Sequence, residues 1–179
     1  MLYLVIVGCE AAFWVLLAAA LLLRYGAGMP RLSTALLLAL PAVDLLLFAA
    51  CTVDLARGAA PTTAHGLAAV YLGTSVAFGP HLVRWADSRL AHRFGGPPPT
   101  RAPRTGPEHA AHERRTWLRH LLAWAIGGIL ILLDTAVAGG PHRSGPLMGL
   151  AATWTAVLVV DFLWSFSYTL FPRGPRTRS

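Results

Sequence analysis

Glu10, Asp44, Asp134 and Asp161 each stand alone inside a long apolar stretch, and together they make up half of the eight Asp and Glu residues of the chain. A charge at mid-bilayer costs about 2.5–3.5 kcal/mol on insertion scales, so an acid so placed faces a bundle interior or a pathway. Such a carboxylate can load and release a proton or meet a cation. It can equally bind a hydroxyl or indole on a neighbouring helix and hold the bundle together. Asp54 adds a carboxylate at the boundary of an apolar stretch, and His65 follows across a short loop. Glu10, Asp54, His65 and Asp134 fall in the same half of the membrane and form the preferred candidate polar site, while Asp44 and Asp161 lie deeper. At helical spacing Asp161 shares a face with Trp154, Ser165 and Tyr168, Asp44 with Pro41 and Cys51, and Glu10 lies alongside Tyr3 and Trp14.

The histidines suggest two further chemistries, each weakly. His81 and His120 fall near one end of their stretches, where a pair of imidazoles could hold a single b-type haem. A second haem finds no matching pair: His65 and His81 are sixteen residues apart, which puts them about 24 Å apart along a helix and about 160° around it. His109 and His112, beside Glu108 and Glu113, have a spacing that fits a solvated face better than a metal site. No phosphate-binding glycine loop, nucleophile elbow or HExxH occurs, so no catalytic residue, metal or cofactor is expected, and an enzyme is the less favoured class.

The elements that must position these residues are membrane helices. Of the 179 residues 55% are hydrophobic and only 13% charged, against roughly 25% charged in a soluble domain. A hydrocarbon core of about 30 Å takes about 20 apolar residues. Five such stretches run Leu2–Leu23, Thr34–Val53, Ala64–Val83, Trp117–Ala138 and Leu147–Phe171, which predicts an all-α, polytopic helix bundle. Gly26, Gly28 and Pro30, then Gly58 and Pro61, then Gly139, Gly140 and Pro141 punctuate them, and Pro172 closes the last. The first stretch lacks a positive n-region and is too long for a signal peptide, so it is read as a retained helix.

All fifteen basic residues are arginine. With the N-terminus outside, thirteen of them fall on the inside and only Arg57 and Arg143 outside, which predicts an inside C-terminus. Residues 94–116 read as a Gly/Pro/Arg-rich cytoplasmic linker with a basic, helical lead-in to span four; they separate a three-span unit (1–93) from a two-span unit (117–171), and 172–179 form a basic tail. Such segments favour anionic lipid headgroups at the cytoplasmic face over nucleic acid. Another membrane protein or a second copy of the chain is a further possible partner. Cys9 and Cys51 are too few for a disulfide framework.

Span three differs from the rest. It has no acid, carries Tyr71, Thr74 and Ser75, and shows a small-residue stripe, Gly66, Ala69, Gly73 and Ala77, that lets another helix approach closely. Arg84, Trp85 and Trp117 are expected as interfacial anchors. Gly66-Leu67-Ala68-Ala69 recurs as Gly149-Leu150-Ala151-Ala152, a faint internal similarity.

Val53-Asp54-Leu55, His65 to Gly73, Arg84-Trp85-Ala86-Asp87 and Phe94 resemble a bacterial family of small integral membrane proteins, the YmcC-like proteins. Cys9-Glu10, Phe13-Trp14, Arg24-Tyr25 and Pro41 to Asp44 are similar to it as well, so the resemblance covers most of the first three spans. It implies a multi-pass protein of the bacterial cell membrane and supplies no reaction, cofactor or catalytic residue. The favoured reading is a non-enzymatic accessory, scaffold or lipid-interacting membrane component. A small proton-coupled transporter using the intramembrane carboxylates is the alternative, and a b-type haem or quinone protein is the third.

Overall fold

The computed structural model describes residues 2–93 and 106–170. They form five long helices: α1 (Leu2–Tyr25), α2 (Pro30–Ala56), α3 (Thr63–Arg93), α4 (Gly106–Val137) and α5 (Gly145–Leu170). A single 3-10 turn, Pro141–Arg143, stands between α4 and α5. All five helices are long and apolar enough to cross a membrane. Without water in the hydrocarbon region every backbone N–H and C=O must be satisfied within its own segment, and a helix does this for any apolar sequence.

The turns reverse where the backbone enters the left-handed region at glycine: Gly28 (φ +66), Gly58 (φ +90), Gly139 (φ +93) and Gly140 (φ +100). A Cβ is strained at such φ values, so these residues decide where one span ends and the next begins.

Two helices run past the expected spans. α3 has 31 residues and α4 has 32, lengths of about 46–48 Å at 1.5 Å per residue. The polarity of Arg84–Arg93 and of Glu108–Arg119 ends the apolar stretch but not the helix, because Ala, Leu, Arg and Glu are good helix formers. Gly106 and Pro107, which fall within the expected linker, open α4 instead. Proline is accepted in a first turn, where its missing N–H has no intrahelical partner to lose. α2 and α3 continue through Pro41 and Pro80. The rest of the expected linker, 94–105, and the basic tail lie outside the described residues.

α1 lies along α2, α3 packs on α2, α4 and α5, and α4 packs on α5. One buried cluster ties them together: Cys9 of α1; Leu47, Phe48 and Cys51 of α2; Ala68, Ala69 and Leu72 of α3; Ile131 of α4; and Leu147 of α5. Trp14, Leu38, Leu132 and Trp164 point outward with 62–71% exposure, an apolar coat that a soluble protein would not carry and that hydrocarbon solvates.

α3 and α4 approach each other backbone to backbone. A Cβ on Gly73 would stand 2.6 Å from the Ala123 carbonyl oxygen and 2.9 Å from the Gly127 nitrogen. A Cβ on Gly127 would stand 2.5 Å from the Trp154 ring and 3.1 Å from the Ala69 oxygen. Gly66 meets α5 instead, where a Cβ would stand 2.7 Å from a Leu150 methyl. Gly149, its counterpart in the repeated tetrapeptide, has nothing within 4 Å, so the two segments do different work. Gly73→Val should therefore force α3 off α4 and destabilise the bundle by about 1–3 kcal/mol or more, read as a lower midpoint in thermal unfolding in detergent. Gly149→Ala should leave the midpoint unchanged.

Candidate functional site

At the end of the bundle that carries the α2–α3 loop, three of the four grouped residues come together. Asp134 of α4 is fully buried, and the Thr52 hydroxyl stands 2.7 Å from its Oδ1. Thr52 belongs to α2, so this contact joins helices distant in sequence. Two residues further along α2, Asp54 places its Oδ2 3.5 Å from Nε2 of His65, with Asp54 35% and His65 2% exposed. His65 and Asp134 are within electrostatic reach of each other, and Cys51 interacts with both Asp54 and Asp134.

His65 is held by the start of its own helix. Nδ1 accepts the backbone N–H of Thr62 at 3.2 Å and lies 2.8 Å from the Thr62 hydroxyl. This follows the reciprocal logic of a capping box, with imidazole where Glu or Gln is usual. Nε2 of His65 and Oδ2 of Asp134 are buried and have no hydrogen-bond partner among the described residues.

Glu10 is not part of this group. It is exposed and, with Asp44, lines a cleft of about 770 Å³ bounded by α1, α2 and α3. Phe13, Leu17, Leu40 and Phe78 make its walls largely apolar. Asp44 is buried at its base and accepts a hydrogen bond from Ser75 of α3. Arg24, Tyr25 and Trp85 line the cleft too, and all three belong to the opposite end of the bundle from Asp54. Arg24 also donates to Thr34 Oγ1 at 3.1 Å, tying α1 to α2.

Asp161 belongs to neither place. Its Oδ2 lies 2.5 Å from Nδ1 of His120, between α5 and α4, with the side chains 28% and 41% exposed. The His120 ring also packs on Phe78 of α3, centroids 5.0 Å apart. His81, half-buried on α3, has Arg84, Arg119 and His112 as its neighbours. Trp117 donates to the Leu158 carbonyl at 3.4 Å and meets Phe162 and Phe166 edge-on, so it packs α4 against α5. Arg84 and Trp85 are exposed near the same end, and Ala77 is half-buried on α3. Among the described residues no group of three or more His, Cys, Asp or Glu is placed to hold a metal.

Sequence reasoning missed Thr52 and Thr62 as partners of the acid and the histidine, and it missed the pairing of His120 with Asp161. A hydroxyl one or two residues from an acid is a faint signal, because a helical Thr ordinarily returns its hydrogen to its own backbone. The pairing spans 41 residues and depends on how α5 is rotated against α4.

A curated relative, the uncharacterized membrane protein YmcC of Bacillus subtilis (strain 168), is 39% identical over 168 residues, 94% of this chain and 91% of the relative. No family model matches, and no solved structure matches.

The His120–Asp161 contact is short for a nitrogen–oxygen hydrogen bond. Proton NMR should show a strongly downfield Nδ1–H signal from His120 that is lost in Asp161→Asn. Because the contact joins two membrane-spanning helices, the same substitution should also lower the midpoint of thermal unfolding, by the equivalent of about 0.6–2 kcal/mol.

Proposed function

The chain belongs to the YmcC-like membrane protein family, integral membrane proteins of undefined activity, and within that frame we propose that it is a non-enzymatic component that holds a membrane lipid in the cleft between α1, α2 and α3. The observation that carries this reading is the cleft itself: about 770 Å³ of mainly apolar space with a few polar groups converging on it. Ligand sites commonly have such a volume and such a lining. Its position suits an amphipathic occupant. The walls are membrane-spanning helices, and Arg24, Tyr25 and Trp85 lie where a headgroup would sit.

The arginine distribution supports an orientation with the Arg24 end in the cytoplasm and the protein in the bacterial cytoplasmic membrane. There Arg24 would meet the anionic leaflet, where each basic residue near the surface contributes about 1 kcal/mol of attraction. The occupant is therefore an anionic phospholipid, its phosphate at Arg24 and an acyl chain along Leu17 and Leu40.

Native mass spectrometry of protein extracted in mild detergent tests this reading. Wild-type protein should retain one phosphatidylglycerol in preference to phosphatidylethanolamine. Arg24→Gln should reduce that preference about fivefold, the equivalent of about 1 kcal/mol, and Leu17→Trp, which fills the cleft, should reduce retention of either lipid. Equal lipid content in all three proteins would sink the proposal.

A further inference from the structure

Thr52 carries one hydroxyl hydrogen but stands between two oxygens. Its Oγ1 is 3.1 Å from the carbonyl of Phe48, one turn back on α2, and 2.7 Å from Asp134 Oδ1. The carbonyl can only accept. If Asp134 were ionised, its carboxylate could also only accept, and two acceptors would compete for one hydrogen. A proton on Oδ1 resolves the count: Asp134 donates to Thr52 Oγ1, and Thr52 donates onward to the Phe48 carbonyl.

The surroundings agree. Asp134 is 0% exposed and makes no ion pair among the described residues. A buried carboxylate without a paired cation is costly by several kcal/mol. His65 does not supply that cation. Its Nδ1 accepts the Thr62 N–H, so that nitrogen bears no hydrogen and the ring is neutral, with its hydrogen on Nε2. Cys51 of α2 is a further titratable neighbour, and through it Asp54 of α2 and Cys9 of α1 come near. α5 brings the apolar Leu147 to the same cluster, while His142 and Arg143 of the following turn are exposed.

We propose that Asp134 is a buried proton-binding site, a neutral carboxylic acid in the resting protein, with His65 and the partly exposed Asp54 between it and the water at the α2–α3 loop. Release of the proton breaks the Asp134 O–H bond and delivers the proton to the Asp54 carboxylate or to water. The Thr52 hydrogen then turns from the Phe48 carbonyl to the new carboxylate. The Thr52 hydroxyl, which accepts from Asp134 in the resting state, thus donates to it in the ionised one. The site is separate from the lipid cleft and stands without it.

Difference infrared spectroscopy on the full chain in lipid vesicles tests the assignment. A carbonyl band of a protonated carboxylic acid should be present at neutral pH, absent in Asp134→Asn, and lost from wild type as the pH is raised. Asp54→Asn should keep that band but slow its exchange in D2O. Thermal unfolding supplies a second readout: a proton held only in the folded state makes stability fall as pH rises, so wild type should lose stability toward alkaline pH relative to Asp134→Asn. Should Asp134→Asn not fold, Thr52→Val carries the test, since removing the acceptor must shift the band. Absence of the band at neutral pH, a band unchanged in Asp134→Asn or in Thr52→Val, or unaltered exchange in Asp54→Asn would each overturn the proposal.

Discussion

The backbone contact between α3 and α4 at Gly73 and Gly127 is the constraint on which the other placements depend. Lipid tails are as apolar as leucine, so helices gain little from burying apolar side chains against one another in a bilayer and must associate by close packing and hydrogen bonds. With no Cβ on either glycine, α3 and α4 come near enough for Trp154 of α5 to close over the contact. That approach brings the first turn of α3, with His65, to the same level as Asp134 one face further along α4. Shift α3 outward by the width of a methyl group and the Asp134 end of the bundle would come apart.

Polar contacts between helices then follow a common form. Thr52 to Asp134, Ser75 to Asp44, Trp124 to Thr155 and His120 to Asp161 each join two spans. In model systems such bonds contribute about 0.6–2 kcal/mol, enough to set the rotation of a helix that the featureless apolar surface leaves free. Three of these four contacts use an intramembrane acid: Asp134, Asp44 and Asp161. Among the described acids, Asp134 alone is buried with one oxygen hydrogen-bonded and the other without a partner.

α1 is the exception to the close packing. It rests on α2 and does not close against α3, and the space left becomes the cleft. The residues along α1 explain the gap. It has no stripe of glycines toward α3, and the bulky Phe13 and Leu17 line the space between them. On the lipid-binding reading proposed above, an acyl chain would fill this space as one more apolar column.

Much of this protein was determined by its sequence alone. Five apolar stretches punctuated by glycine and proline suffice for five helices, because hydrocarbon permits no other local solution for an unpaired chain segment. The YmcC-like family was legible in the same way, from residues around His65 and Arg84. So was the approach of α3 to another helix, from its small-residue stripe, although the partner glycine in α4 was not. Which acids meet depended on the tertiary structure. Depth along a span can be counted from sequence, but rotation about a helix axis cannot when nearly every face is apolar. Glu10 falls in the same half of the membrane as Asp134 by sequence yet lines the cleft with Asp44, while Asp54 pairs with His65 beside Asp134. The proton count at Thr52 was likewise out of reach, since it depends on two oxygens from different helices converging on a single hydroxyl.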